Sequence, residues 1–410
     1  MFRKCALKIL SIPQSYGLAR PKSGGQNRYS HLVAGLQSIG QRVTILEPAA
    51  FHSPGDSEET TVYTFEDWRW FGKSLALLRD INIRYFNCLR SILSKQRIDL
   101  LEATHPGGML AAFIVAGGRM HRFPIVYSAH NVEAEFASEA YARNQDSSWI
   151  ERLIVPKYVA LLERLVCKYV VDHIVVCSTR DREMLIDRYS LEPNRITVIP
   201  SGGSFLPVAN EQARARAKQR LGIAADRKVI LFHGMYSLDA NRKSVELVKG
   251  IIAPLIANTN PEALFLIAGT DMPKFAKANV VSVGFVESLE EVLLAADIAI
   301  APLLAGAGVK HKILDYLAAG LPVVTTTKGI EGIEARNQEE ALVVHDVGPD
   351  FVASVVYLLN NKGERERIGL NGSKLARLAY DWNLNSRKLG ELYEKLTKTR
   401  QTWSTRYEAA

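Results

Sequence analysis

The chain has 410 residues, 47% of them apolar and 23% charged, with a net charge of +8. That length exceeds one ordinary core and points to two domains of about 200 residues each, while no apolar run approaches the ~18–20 residues that span a bilayer. The basic excess is moderate and dispersed, which suits an anionic partner, and with no basic run, helix-turn-helix pattern or RNA-binding aromatic motif it speaks against nucleic acid.

Residues 1–13 are basic around a short apolar run, 9–12, too short for the core of a signal peptide, so they read as a first buried strand. From there, apolar β-rich runs alternate with longer amphipathic stretches, the pattern of parallel sheets with crossover helices. Strands are expected at 6–12, 42–46, 100–103, 125–128, 173–177 and 196–199, with helices at 26–39, 75–93, 108–120, 150–169 and 180–188. The turn-rich break Pro200-Ser201-Gly202-Gly203-Ser204 is the best domain boundary. Beyond it the alternation restarts. Strands are expected at 229–233, 264–268, 280–283, 298–301, 322–325 and 341–344, and helices at 244–256, 289–294, 309–319, 350–359, 364–380 and 383–399. The fold class is therefore α/β, with two Rossmann-like domains, 1–205 and 206–382. The four cysteines, Cys5, Cys88, Cys167 and Cys177, are scattered without a CxxC pair. A disulfide framework or zinc site is not expected, and a reducing, cytoplasmic setting fits.

Segment 64–97 mixes Trp68, Trp70, Phe71, Tyr85 and Phe86 with Arg69, Lys73, Arg79, Arg84, Arg90, Lys95 and Arg97. Basic and aromatic helices can lie on anionic lipid, so peripheral contact with the inner face of a membrane is one reading. A helix that packs its aromatics inward is the other.

Three loops follow strand ends, where ligands sit in open α/β sheets. Gly24 and Gly25 lie in Pro-Lys-Ser-Gly-Gly-Gln-Asn after the first strand, and their spacing is not that of a dinucleotide fingerprint. His130 lies in Tyr-Ser-Ala-His-Asn-Val-Glu, with Asn131 and Glu133 beside it; His130 can donate a hydrogen bond, and the other two can accept one or order the loop. The third is the most informative: Gly306-Ala307-Gly308-Val309-Lys310-His311-Lys312-Ile313-Leu314-Asp315, then Gly320-Leu321-Pro322-Val323-Val324. Small residues let a phosphate approach backbone N–H groups, and the following helix offers its positive end. Lys310 and Lys312 lie near that end, and Asp315 can accept from ribose hydroxyls.

This last segment resembles the donor-site motif of the retaining GT-B glycosyltransferases of the family 4, group 1 type. Asp315 stands at the motif's second acid, but Ala307 occupies the position of the first. The resemblance implies two domains facing a cleft, with the last helix, within 383–410, packing back on the first. It implies sugar transfer, with retention, from a UDP- or GDP-linked donor to a glycan, lipid-linked or small-molecule acceptor, as in polysaccharide biosynthesis. On its terms His130 and Asp315 are the catalytic candidates. Gly24, Gly25, Arg242, Lys243, Lys310 and Lys312 hold the diphosphate. Gly284, Phe285, Gly308, Val309 and Glu331 meet the sugar and nucleotide, and Asn131 and Glu133 meet the acceptor. No cofactor is implied, and the absence of any Asp-x-Asp argues for chemistry without a metal. Two rivals remain: an epimerase of the same fold, which should carry more acids and histidines in the first domain than this chain has, and a non-catalytic subunit that binds nucleotide sugars, which the missing acid keeps open.

Overall fold

The structure, a computed structural model, describes residues 6–13, 23–52, 60–67, 69–70, 73–74, 76–118, 123–143, 147–206 and 211–408. The chain divides into two compact units, Met1–Pro200 with Trp382–Ala410, and Ser201–Asp381.

The first unit is built on strands β1 (Lys8–Ile12), β2 (Arg42–Pro48), β3 (Thr61–Phe65), a small hairpin β4 (Arg69–Trp70) and β5 (Lys73–Ser74), then β6 (Leu100–Ala103), β7 (Ile125–Ser128), β8 (His173–Val176) and β9 (Ile196–Val198). Its main sheet has the order β3-β2-β1-β6-β7-β8-β9, with every pair parallel. Helices α1 (Gly24–Ser38), α2 (Ile83–Lys95), α3 (Met109–Val115), α4 (Glu133–Arg143), α5 (Trp149–Leu165) and α6 (Thr179–Tyr189) fill the crossovers. The central strands are apolar on both faces because both are covered. One face packs α1 and the C-terminal helix through Leu36, Leu389 and Tyr393. The other packs α2, α3 and α5 through Leu89, Ala112 and Leu162.

The second unit runs α7 (Glu211–Arg220), β10 (Lys228–His233), α8 (Asp239–Leu247), a π turn, α9 (Ala253–Ala257), β11 (Ala263–Ala268), β12 (Phe275–Lys277), β13 (Val280–Gly284), α10 (Leu289–Ala295), β14 (Ile298–Ala301), α11 (His311–Ala318), β15 (Val323–Thr326), β16 (Leu342–Val344), α12 (Pro349–Asn360) and α13 (Lys362–Ala379). The C-terminal helix α14 (Trp382–Glu408) follows and joins the first unit. The sheet order is β12-β13-β11-β10-β14-β15-β16, parallel except for β12. Among the described residues no helix is long and apolar enough to cross a membrane.

Three of the elements that differ from the sequence-based expectation have plain physical reasons. The helix expected at 75–93 is broken, because Asn82 accepts from the N–H groups of Arg84 and Tyr85 and so starts α2 afresh. β3 is an edge strand with one buried residue in five, so its apolar signal is weak. α4 begins where a carboxylate from another helix meets its first N–H groups, a contact that no local pattern announces.

Segment 64–97 turns its aromatics inward where they are described. Tyr85 is buried, Phe86 packs against the core, and Arg79 is buried, bound bidentately to Asp67. Trp68 and Phe71 lie outside the described residues, as do the side chains of Arg69, Trp70 and Lys73.

Candidate active site

In the second sheet, the chain leaves β10 toward β11 on one side and β14 on the other. Such a reversal opens a crevice at the carboxyl ends of the strands. The apolar residues of β10 end at His233 and Gly234, and the loop after β14 arrives beside them with α11.

Lys312 sits on the first turn of α11. Its ammonium donates to Asn241 Oδ1 at 2.6 Å and lies 4.1 Å over the Phe232 ring. Burial, and then the charge of Lys310, bring its pKa down to about 7. Asn241 is held in place in turn, donating through Nδ2 to the Met235 carbonyl at 2.8 Å. Gly234 makes room for this pair: a Cβ there would stand 2.8 Å from the Lys312 ammonium and 2.9 Å from the Asn241 amide. Lys310, the residue before α11, turns its ammonium back onto the carbonyls of Gly306 and Gly308 at 2.8 and 2.5 Å. The tight loop needs left-handed backbone at both glycines, with φ of 110° and 71°. Val309 between them and α11 is half-buried.

Asp315 lies one turn further along α11 and is buried. Its Oδ1 accepts from the Ser204 N–H at 3.0 Å, and its Oδ2 faces His233 Nε2 at 4.0 Å. Burial raises its pKa to about 6, against the opposing pull of the Ser204 hydrogen bonds. His233 packs edge-on to Tyr316, and its N–H donates to the Tyr316 hydroxyl at 2.9 Å. Burial, and then the Lys312 charge, lower its pKa to about 3, so its imidazole is neutral. His233 and Asn241 belong to this group, yet neither stands out in the sequence. Their signal was position alone, at the end of a strand and on the buried side of the next helix.

Arg242 and Lys243 are exposed and bind Asp239 at 2.7 and 2.9 Å. Helical periodicity turns Asn241 inward and its two successors out. Gly284 closes β13 with φ of 78°, and Phe285 after it is 63% exposed. Glu331 pairs with Lys328 at 2.8 Å.

In the first unit the strand order reverses between β1 and β6. Gly24 and Gly25 open α1 there, just after the cap residue Ser23, whose hydroxyl accepts from Gln26 N–H. Their N–H groups belong to the first turn, which has no partner within the helix. His130 follows β7 and is buried, its carbonyl accepting from the Cys177 thiol at 3.3 Å. Asn131 is half-buried. Glu133 is buried 3.6 Å from His105 Nε2. Burial and the neighbouring Glu163 push the Glu133 carboxyl up to about 8. Burial and Arg79 bring His105 down to about 3. At neutral pH this is an uncharged acid beside an uncharged imidazole. Glu163, on α5, organises the loop: its carboxylate accepts from the N–H groups of Glu133 and Ala134 at 2.8 and 3.1 Å and from the Tyr189 hydroxyl at 2.8 Å.

Comparison with known proteins agrees with this architecture. Residues 23–202 match the family model for Glycosyltransferase Family 4, and residues 227–361 match that for Glycosyl transferases group 1. A D-inositol 3-phosphate glycosyltransferase of Nocardioides sp. is 24% identical over 295 residues, 66% of this chain and 62% of that protein. Its counterpart in Kineococcus radiotolerans is 30% identical over 111 residues, 27% of this chain and 23% of that protein. The chain thus spans less than two thirds of the length of either relative. Among solved structures, sucrose-phosphate synthase from Thermosynechococcus elongatus superposes with a TM-score of 0.73 at 16% identity, covering 96% of this chain and 100% of that one. HepE of Anabaena in complex with UDP-glucose gives 0.68 at 14% identity, covering 95% and 100%. WaaG, a glycosyltransferase involved in lipopolysaccharide biosynthesis, gives 0.67 at 16% identity, covering 94% and 99%. At these identities the structures speak for the fold, and the family models speak for the lineage. With each half matched by its own model, the chain belongs to the group 1, family 4 glycosyltransferases of the GT-B fold.

Proposed function

We propose that the protein transfers a sugar from a nucleoside diphosphate sugar, UDP- or GDP-linked, to a glycan, lipid-linked or small-molecule acceptor, with retention and without a metal ion. The observation that carries this reading is the cationic group at the end of β10. Two lysines and a helix N-terminus meet a loop whose glycines leave the backbone open. UDP is the first donor base to test, since HepE structures hold UDP and UDP-glucose.

In this reading the bond between the anomeric carbon and the phosphate oxygen breaks, and its electron pair leaves with the diphosphate. Lys312, Lys310 and the first amides of α11 stabilise that charge. The acceptor hydroxyl oxygen bonds to the anomeric carbon on the same face, and its proton passes to the departing phosphate. Asp315 Oδ2 accepts a ribose hydroxyl, while Oδ1 stays with Ser204. Gly284 and Phe285 border the base, and Gly308, Val309 and Glu331 border the donor. The first-turn amides at Gly24 and Gly25 approach the diphosphate. His130 orients the sugar and Asn131 holds the acceptor. Glu133, buried against His105, orders the loop. Arg242 and Lys243 contribute charge at a distance, through α8.

Ala307 at the place of the first motif acid favours one other reading, a subunit that binds nucleotide sugars without turnover. Calorimetry with UDP, GDP and ADP, followed by assays over donor and acceptor panels, separates the two. Binding with turnover supports transfer, and binding without turnover across the panel supports the subunit. No affinity for any nucleoside diphosphate overturns both.

A further inference from the structure

In the first unit, the loops at Gly24 and His130 follow the carboxyl ends of β1 and β7. A cleft of about 330 Å³ opens at the other edge of the same sheet, where β8 and β9 begin. Helix α5 runs on into a π turn, Val166–Val170, which brings Lys168 and Tyr169 to the start of β8. Arg195 ends the short turn before β9. α14 sets Arg400 against Asp172 at 3.4 Å, and Phe113 of α3 completes the lining used here. All of these belong to the first unit. The strands are parallel, so the cleft lies about a strand length, ~13 Å, from the His130 edge.

The cleft is cationic. Lys168, Arg195 and Arg400 line it, against one acid, Asp172. Asp187 of α6, Glu192 in the turn after it, and Glu391 and Glu394 of α14 stand outside the lining, and α3 carries no charge. Ordinary structure accounts for part of the excess. Asp172 offsets Arg400 through one oxygen, and its other oxygen accepts from the Ile125 N–H at 2.8 Å. A cation near a helix end, as at Lys168, is favourable. Arg195 gives one N–H to the Val171 carbonyl. The rest of its fork, and the Lys168 ammonium, have no partner among the described residues, although both side chains are half-buried. The excess reaches His173 next to the cleft. Burial, and then the charges of Arg195 and Lys395, bring that imidazole down to about 4, against the opposing pull of Asp172.

An Arg fork beside a Lys point charge suits a phosphate group. Tyr169, 61% exposed, and Phe113 offer ring surface to whatever body carries that group. The volume is at the low end for ligand sites, which suits a small ester better than a nucleotide sugar. We propose that this cleft binds a small, soluble phosphate monoester of sugar-phosphate size. The ligand meets Arg195 and Lys168 at the sheet and Arg400 on α14, and so ties the returning helix to the strand ends. The site stands or falls without any sugar transfer.

The test is calorimetry on the full chain with glucose 6-phosphate and with glycerol 3-phosphate, in 0.15 M salt, with glucose as the uncharged control and UDP titrated in parallel. At least one ester should bind, and glucose should not. The double variant Lys168→Gln, Arg195→Gln should lose at least ~10-fold in ester affinity, the scale of lost charge-assisted hydrogen bonds, with UDP affinity unchanged. Should that variant fail to fold by circular dichroism, Lys168→Gln alone, which breaks no contact among the described residues, reads the same loss. In the native chain the ester should also slow amide exchange around Arg400. No affinity for either ester overturns the proposal, as does equal ester affinity in native and variant chains. Displacement of the ester by UDP overturns it in favour of the donor site. Binding of phosphatidic acid vesicles without binding of either soluble ester overturns it in favour of a lipid headgroup. Unchanged exchange around Arg400 in the loaded chain overturns the tie to α14.

Discussion

Lys312 is the residue on which the proposed donor site turns. With its pKa near 7, it is protonated below neutrality and increasingly neutral above. A bound diphosphate favours the protonated form, so UDP affinity should fall as pH rises past about 7, approaching ~10-fold per unit. Calorimetry in buffers of different ionisation enthalpy should register proton uptake on binding at neutral pH. Asn241→Ala removes the acceptor that aims the ammonium, and should weaken UDP binding by about 10-fold, near 1.4 kcal/mol. Uridine affinity should hold, because the phosphates alone are touched. Glu133 gives a second pH test. Its folded-state pKa, about 8, lies above its ordinary value of 4.5, so the folded chain keeps a proton that the unfolded chain releases. Its contribution to stability therefore falls as pH rises from about 4.5 through about 8. Glu133→Gln has no such slope and should gain on the native chain by about 1–3 kcal/mol across that window, read by denaturant melts.

At the scale of elements, glycines and buried carboxylates decide how loops meet helices. Gly269 ends β11 with its backbone against Gly234, and a Cβ there would fall 1.9 Å from the Gly234 carbonyl oxygen. Gly269→Ala must therefore shift backbone, and should destabilise the second unit by at least about 2 kcal/mol in thermal unfolding. Glu163 plays a comparable part in the first unit, tying α5 to the start of α4. Glu163→Ala strands two amides and two phenols in the interior. A loss of about 2–4 kcal/mol should follow, with faster amide exchange at the start of α4. The elements themselves were largely legible in the sequence, because buried parallel strands and amphipathic crossovers leave strong local patterns. The break at Asn82 and the edge strand β3 were not, since one depends on a single capping side chain and the other on a half-exposed run.

For the whole molecule, the chain's return matters most. α14 belongs to the first unit, with Leu389 and Tyr393 in its core and the Tyr393 hydroxyl on buried Glu102. A chain ending before Trp382 should lose the native first unit and aggregate, visible in gel filtration. The alternation of runs, the break near residue 200, the glycine loop, the lysines of α11 and the acid at 315 are properties of the sequence alone, because burial in a parallel sheet and helix phase repeat over a few residues. The Lys312–Asn241 pair joins positions 71 residues apart, Glu163 reaches back to Glu133, and Arg242 and Lys243 turn away from Lys312 and Asn241. Only the tertiary structure decided these, because what a side chain meets depends on which surface packs opposite it, and no local period carries that information.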